Sequence, residues 1–133
     1  MMGIDTNVLV RYFANDEPRQ SARATQLIEK TLRPAEPGFV SLVVLVELCW
    51  TLRRLYGATP TELLSLVERL TNDARFHIEK RDVVQAALAH CKSSAAKANL
   101  PDVLIAQRAL AEGCTHTVSF DKAAVRSAGM VEL

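Results

Sequence analysis

At 133 residues the chain has the length of one domain, residues 1–133, large enough to bury roughly two thirds of its unfolded surface without staples. Sixteen Lys and Arg against fifteen Asp and Glu give a formal net charge of +1, which excludes a partner held by bulk charge alone. Cys49, Cys91 and Cys114 are odd in number and sit in apolar or helical patterns, no signal-peptide pattern opens the chain, and no run is long enough to span a membrane; a soluble cytoplasmic protein with reduced thiols is expected.

The chain opens on Met1-Met2-Gly3-Ile4-Asp5-Thr6-Asn7-Val8-Leu9-Val10, where a short apolar run meets an acid and two hydrogen-bonding side chains. This order predicts a buried strand delivering Asp5 to a sheet end, with a helix from Val8 to Ala14 behind it. Pro18 suits the first turn of a second helix reaching about Leu32, and Arg33 to Gly38 breaks the chain. Phe39-Val40-Ser41 reads as a short strand ending on an N-cap serine, followed by the longest apolar helix, Leu42 to Tyr56, closed by Gly57. A helix restarting at Thr59-Pro60 presents Leu63, Leu66, Val67 and Leu70 on one face. Phe76 to Glu79 alternates like a strand, Asp82 caps or begins a helix with Val84, Ala87, Leu88 and Cys91 inside, and residues 93–99 form a small polar connection. Pro101 opens a helix to about Glu112, His116 to Ser119 is a strand, Asp121 begins a short helix, and Met130 to Leu133 is a last strand. Short strands alternating with helices predict an α/β fold whose mostly parallel central sheet is covered on both faces, a three-layer sandwich.

Acids stand in unexpected places. Glu47 lies inside Leu42-Val43-Val44-Leu45-Val46 and Leu48-Cys49-Trp50, so it is paired, protonated, metal-bound or at a cleft, the plainest alternative being a narrow polar stripe with Thr51 and Arg54. Asp102 shares its i+3, i+4 and i+7 stripe with Ile105, Ala106 and Ala109 and is expected to face inward, where it would also favour the positive helix end. Asp5 and Asp121 both have an N-cap explanation. Capping does not explain why two parallel strands each end in an acid, since ligands of such sheets gather at the carboxyl ends of strands. If both strands are central, Asp5 and Asp121 share a crevice, and converging acids call for a hard cation such as Mg²⁺ or Mn²⁺.

These residues resemble the PIN-domain ribonucleases, specifically the VapC-type toxins of toxin–antitoxin pairs. The resemblance is carried by Gly3 to Tyr12, by Val44 to Leu52 around Glu47, by Pro101 to Ala106 and by Val118-Ser119-Phe120-Asp121-Lys122. It implies a PIN-like sandwich and Mg²⁺-dependent hydrolysis of RNA phosphodiesters, with Mn²⁺ as an alternative ion. It further implies Asp5, Asp102 and Asp121 as metal ligands, Glu47 as the remaining catalytic acid, and Thr6, Asn7 and Ser119 as side chains orienting the carboxylates. A homodimer and a VapB-type antitoxin lying along the early helices are implied as partners. Leu100-Pro101 departs from the aromatic or small residues usual before the third acid, and Ser119 replaces a Thr.

Arg11, Arg53, Arg54, Lys80, Arg81, Lys97 and Lys122 are candidates for RNA phosphates, against solvated surface charge for most of them. Trp50 and Tyr12 are expected in core or dimer packing rather than on a base. Zinc on Cys91, Cys114 and His116 lacks a tight ligand pair. A receiver-like phospho-acceptor lacks the adjacent acids it needs after the first strand, which leaves a catalytically silent PIN-like binding module as the alternative reading.

Overall fold

The computed structural model describes residues 1–94 and 98–133; Lys97 and the middle of the connection expected over 93–99 lie outside the described residues. The chain divides into two compact units, residues 1–59 with 69–79, and residues 60–68 with 80–133.

In the first unit, β1 (Met2–Gly3) leads into α1 (Thr6–Ala14), which begins two residues earlier than Val8. α2 (Pro18–Gln26) starts at its proline with Glu17 as N-cap, then widens into a π-helical turn over Leu27–Thr31 that composition does not announce. β2 (Gly38–Val40) feeds α3 (Leu42–Tyr56), whose bounds match the sequence reading. Ser41 caps it by accepting the Val44 N–H at 3.1 Å, and Gly57 closes it in the left-handed region at φ 64°. α4 (Pro60–Asn72) contributes its last turn to this unit, and β3 (Phe76–Ile78) completes a parallel sheet in the order β1-β2-β3. Leu9, Ile28, Val40, Leu45 and Leu48 are fully buried and form its core.

β1 is thus an edge strand of its sheet rather than a central one. Its approach to β2 depends on Gly38, because a Cβ there would meet Ile4 Cγ1 at 2.7 Å and Leu32 Cδ1 at 3.0 Å. Ile4 is buried and donates its N–H to the Phe39 carbonyl at 2.9 Å, so the backbone is fixed up to the residue before Asp5.

The second unit holds the first turns of α4, then α5 (Arg81–Ser93), α6 (Leu100–Ala111), β4 (Val118–Ser119), α7 (Lys122–Ser127) and β5 (Val131–Glu132). β4 and β5 pair in parallel, so every strand ladder among the described residues is parallel. Val67, Val84, Ala87 and Val103 are completely buried here. The α/β class and the parallel pairing are those expected, although the strands fall into two sheets. No helix among the described residues is long and apolar enough to cross a membrane.

The thiols differ in reach. Cys49 and Cys91 are buried and Cys114 is exposed, and burial pushes the Cys91 thiol up to about 11. In native protein at pH 8, iodoacetamide is expected to modify Cys114 first, with Cys91 reacting only on unfolding or near its raised pKa. Peptide mass mapping over time checks this, and early modification of Cys91 would contradict it.

Candidate metal centre

Asp5 occupies the N-cap position of α1 with extended backbone, φ −80° and ψ 158°, yet its side chain makes no capping hydrogen bond. A carboxylate at a helix start normally accepts a backbone N–H there. Asp121 does so: its Oδ1 accepts from Ala123 at 2.9 Å and from Ala124 at 3.4 Å. The two acids that looked alike in sequence therefore differ, and capping does not account for Asp5.

Asp5 opens into a cleft of about 410 Å³ lined also by Thr6, Asn7, Arg11, Glu47 and Tyr56. The cleft exists because α1 starts directly after β1 while α3 passes beside α1 and brings Glu47 to the same space. Ser41 and Glu79 fix where α3 begins; the Glu79 Oε1 accepts the Leu42 N–H at 2.8 Å. In the sequence Glu79 reads as the last residue of a strand. An acid just past a strand is compatible with many neighbours, and nothing local connects it to Leu42, 37 positions away.

Glu47 is exposed rather than buried, because α3 is less enclosed than its composition suggests. Leu45, Leu48, Cys49 and Leu52 make the buried stripe, while Val43 is 75% exposed and Trp50 42%. Trp50 is accordingly not a core residue. Thr6, itself buried, donates its hydroxyl hydrogen to Glu47 Oε1, which holds the carboxylate in the cleft. Replacing Thr6 by Val keeps the volume and removes this donor. The expected outcome is divalent-cation binding weakened by about tenfold, measured by titration calorimetry with Mn²⁺, at nearly unchanged thermal midpoint.

The cation Arg11 lines the same cleft. It donates from Nε to Gln20 at 2.8 Å and from Nη1 to Asp16 at 3.1 Å and Tyr56 at 3.3 Å. Tyr56 donates its hydroxyl to the other Asp16 oxygen at 2.6 Å. That hydrogen bond holds the Asp16 carboxyl below its ordinary range and raises the Tyr56 hydroxyl above its own.

The other expected site residues lie in the second unit. Asp102 is in the first turn of α6 and half-buried. The inward stripe expected for it holds at Ala106 and is corrected at Ile105, which is 49% exposed; the buried face consists of Leu100, Pro101, Val103, Leu104 and Ala106. Pro101 occupies the start of α6, so the helix begins at Leu100 and that face sets the direction of burial. Ser119 ends β4, and its Oγ accepts the Asp121 N–H at 3.0 Å. Asp121, like Asp5, stands two residues beyond the last residue of a parallel strand.

The donors in the first-unit cleft are carboxylate, amide and hydroxyl oxygens, with no sulfur or imidazole among the lining side chains. That set suits a hard divalent cation such as Mg²⁺ or Mn²⁺, and a carboxylate unspent on its helix cap is the group such an ion needs. Among the described residues no three His, Cys, Asp or Glu side chains cluster closely enough to hold an ion by themselves. A family model, that of the PIN domain, matches residues 2–129. Among curated proteins none matches the chain.

Proposed function

Because the chain belongs to the PIN domain family, whose members are nucleases that generally use divalent metal, we propose that it is a Mg²⁺-dependent endoribonuclease, the VapC-type toxin of a toxin–antitoxin pair. The observation that carries this reading is Asp5: it stands at the start of α1, makes no cap bond, and shares a cleft with a Glu47 held by a buried threonine.

In this reading Asp5, Asp102 and Asp121 are the residues that would hold the ion and Glu47 is the remaining catalytic acid. A cation held there would supply Lewis-acid polarisation of the phosphoryl group and a water of lowered pKa. Thr6 orients Glu47, Asn7 offers a further polar group at the cleft, and Ser119 fixes the backbone on which Asp121 stands. Asp121 caps α7 with one oxygen, and its other oxygen takes no part in the cap.

The exposed Val43 and Trp50, seven positions apart on α3, support a homodimer. A second cleft, of about 630 Å³, is lined by Tyr12 and Phe13 of α1, Thr25 of α2, and Arg69 and Arg75, and it supports an antitoxin segment lying along the early helices. Arg75 pairs there with Asp73 at 2.6 Å and holds that carboxyl below its usual range. The proposed setting is the cytoplasm, with one PIN domain over residues 1–133.

The experiment is incubation of the purified protein with total RNA in Mg²⁺ or EDTA, followed by sequencing of new 5′ ends. Discrete cleavage only in Mg²⁺ is expected. Intact RNA in both conditions, with RNA still bound, would favour the silent binding module instead.

A further inference from the structure

We infer that Arg11 is the phosphate-engaging side chain of the acid cleft, and that Tyr56, Asp16 and Gln20 are the residues that position it. The inference rests on the reading of the cleft as a site for RNA and extends it to how an acidic site receives an anion.

Asp5 and Glu47 both face the space that Arg11 lines, and Arg11 is the one cation lining it among the described residues. A phosphodiester approaching two carboxylates meets repulsion, and the chain's net charge of +1 gives no general field to offset it. Besides a bound cation, attraction has to come from a charge that the chain itself fixes close by, and Arg11 satisfies the requirement in two ways. Its backbone is pinned, because the carbonyl accepts the Ser21 hydroxyl at 2.8 Å, with Ser21 only 1% exposed, and the Asn15 N–H at 3.1 Å. Its guanidinium is held by Gln20, Asp16 and Tyr56 through Nε and Nη1, while Nη2 takes part in none of these bonds.

A guanidinium has five N–H donors in a planar fork, so these contacts leave part of it for a phosphate. The Arg11 side chain is 30% exposed, enough to meet a ligand and too little to sweep freely. Asp16 would otherwise compete with the phosphate for the guanidinium. Tyr56 takes its second oxygen at 2.6 Å, which withdraws negative charge from Arg11 and ties the end of α3 to the loop after α1.

Binding of a short fluorescein-labelled single-stranded RNA, followed by anisotropy in EDTA across a KCl series, tests this without requiring cleavage. Arg11→Gln is expected to weaken binding about tenfold and to reduce the salt slope by about 0.7, the value for one phosphate contact on a single strand. Arg11→Lys should keep most of the slope and recover only part of the affinity. Exposed Arg126 serves as the control, and Arg126→Gln should leave both quantities unchanged. Tyr56→Phe should weaken binding in the wild-type background and add less than about twofold on top of Arg11→Gln, since a positioning residue loses its effect with the group it positions.

An unchanged slope in Arg11→Gln overturns the inference, as does wild-type protein that binds no RNA. Full additivity of Tyr56→Phe and Arg11→Gln overturns the positioning role. Wild-type protein that binds RNA with the Arg11-dependent slope but does not cleave it in Mg²⁺ removes the nuclease reading and leaves the phosphate contact standing.

Discussion

Asp5→Asn is expected to lower the proposed Mg²⁺-dependent RNA cleavage by at least about 100-fold while leaving the folded protein as stable as the wild type, within about 0.5 kcal/mol. The size follows from chemistry: an amide keeps the shape and one oxygen but loses the charge that holds a hard cation. The neutrality toward stability follows from geometry, because the Asp5 side chain makes no cap bond and is exposed to the cleft. Were Asp5 an ordinary N-cap, asparagine would replace it well and activity would be untouched. Cleavage rates at saturating RNA, repeated across a Mg²⁺ titration, separate a lost ligand from a lost substrate contact. Wild-type rates in Asp5→Asn would remove Asp5 from the proposed metal site. A large fall in thermal midpoint would instead mark it as structural.

How far the sequence carried this reading differs from element to element. α3 was legible at both ends because its signals are local: a serine that accepts a backbone N–H and a glycine at positive φ. The π-helical turn at Leu27–Thr31 was not, since no residue in Leu27-Ile28-Glu29-Lys30-Thr31 is a local signal for the wider turn. Thr6 and Glu47 were both visible as candidates, yet the hydrogen bond that joins them spans 41 positions and leaves no periodic trace. Glu47 itself was read as a carboxylate in an apolar helix. It does line a cleft and accept a hydroxyl, as such a carboxylate requires; what failed, at Val43 and Trp50, was the expected enclosure of its helix, because apolar composition measures what a helix is able to bury and not what it finds to pack against. The same error placed Asp102 on an inward stripe through Ile105. Asp5 and Asp121 had the same sequence context, a strand, an acid and a helix, and only the geometry of their caps distinguished them.

That distinction makes Asp121 separable in a way that Asp5 is not. Two substitutions read its cap and its proposed metal-binding role independently. Asp121→Asn keeps an oxygen able to accept the Ala123 and Ala124 N–H groups, so α7 remains capped and the thermal midpoint is expected to move by less than about 2 °C. Asp121→Ala removes the cap, at a cost of about 1 kcal/mol, and the midpoint is expected to fall by about 4 °C. If the carboxylate is a metal ligand, both variants lose cleavage alike, by at least about tenfold, because both lack the charge. If it is only a cap, cleavage follows stability instead: it persists in Asp121→Asn and declines in Asp121→Ala only where that protein begins to unfold. Ser119→Ala marks the boundary between the two cases. It removes the acceptor for the Asp121 N–H and leaves the carboxylate in place, so a loss of cleavage smaller than that of Asp121→Asn identifies the charge, not the turn that presents it, as the group the reaction uses.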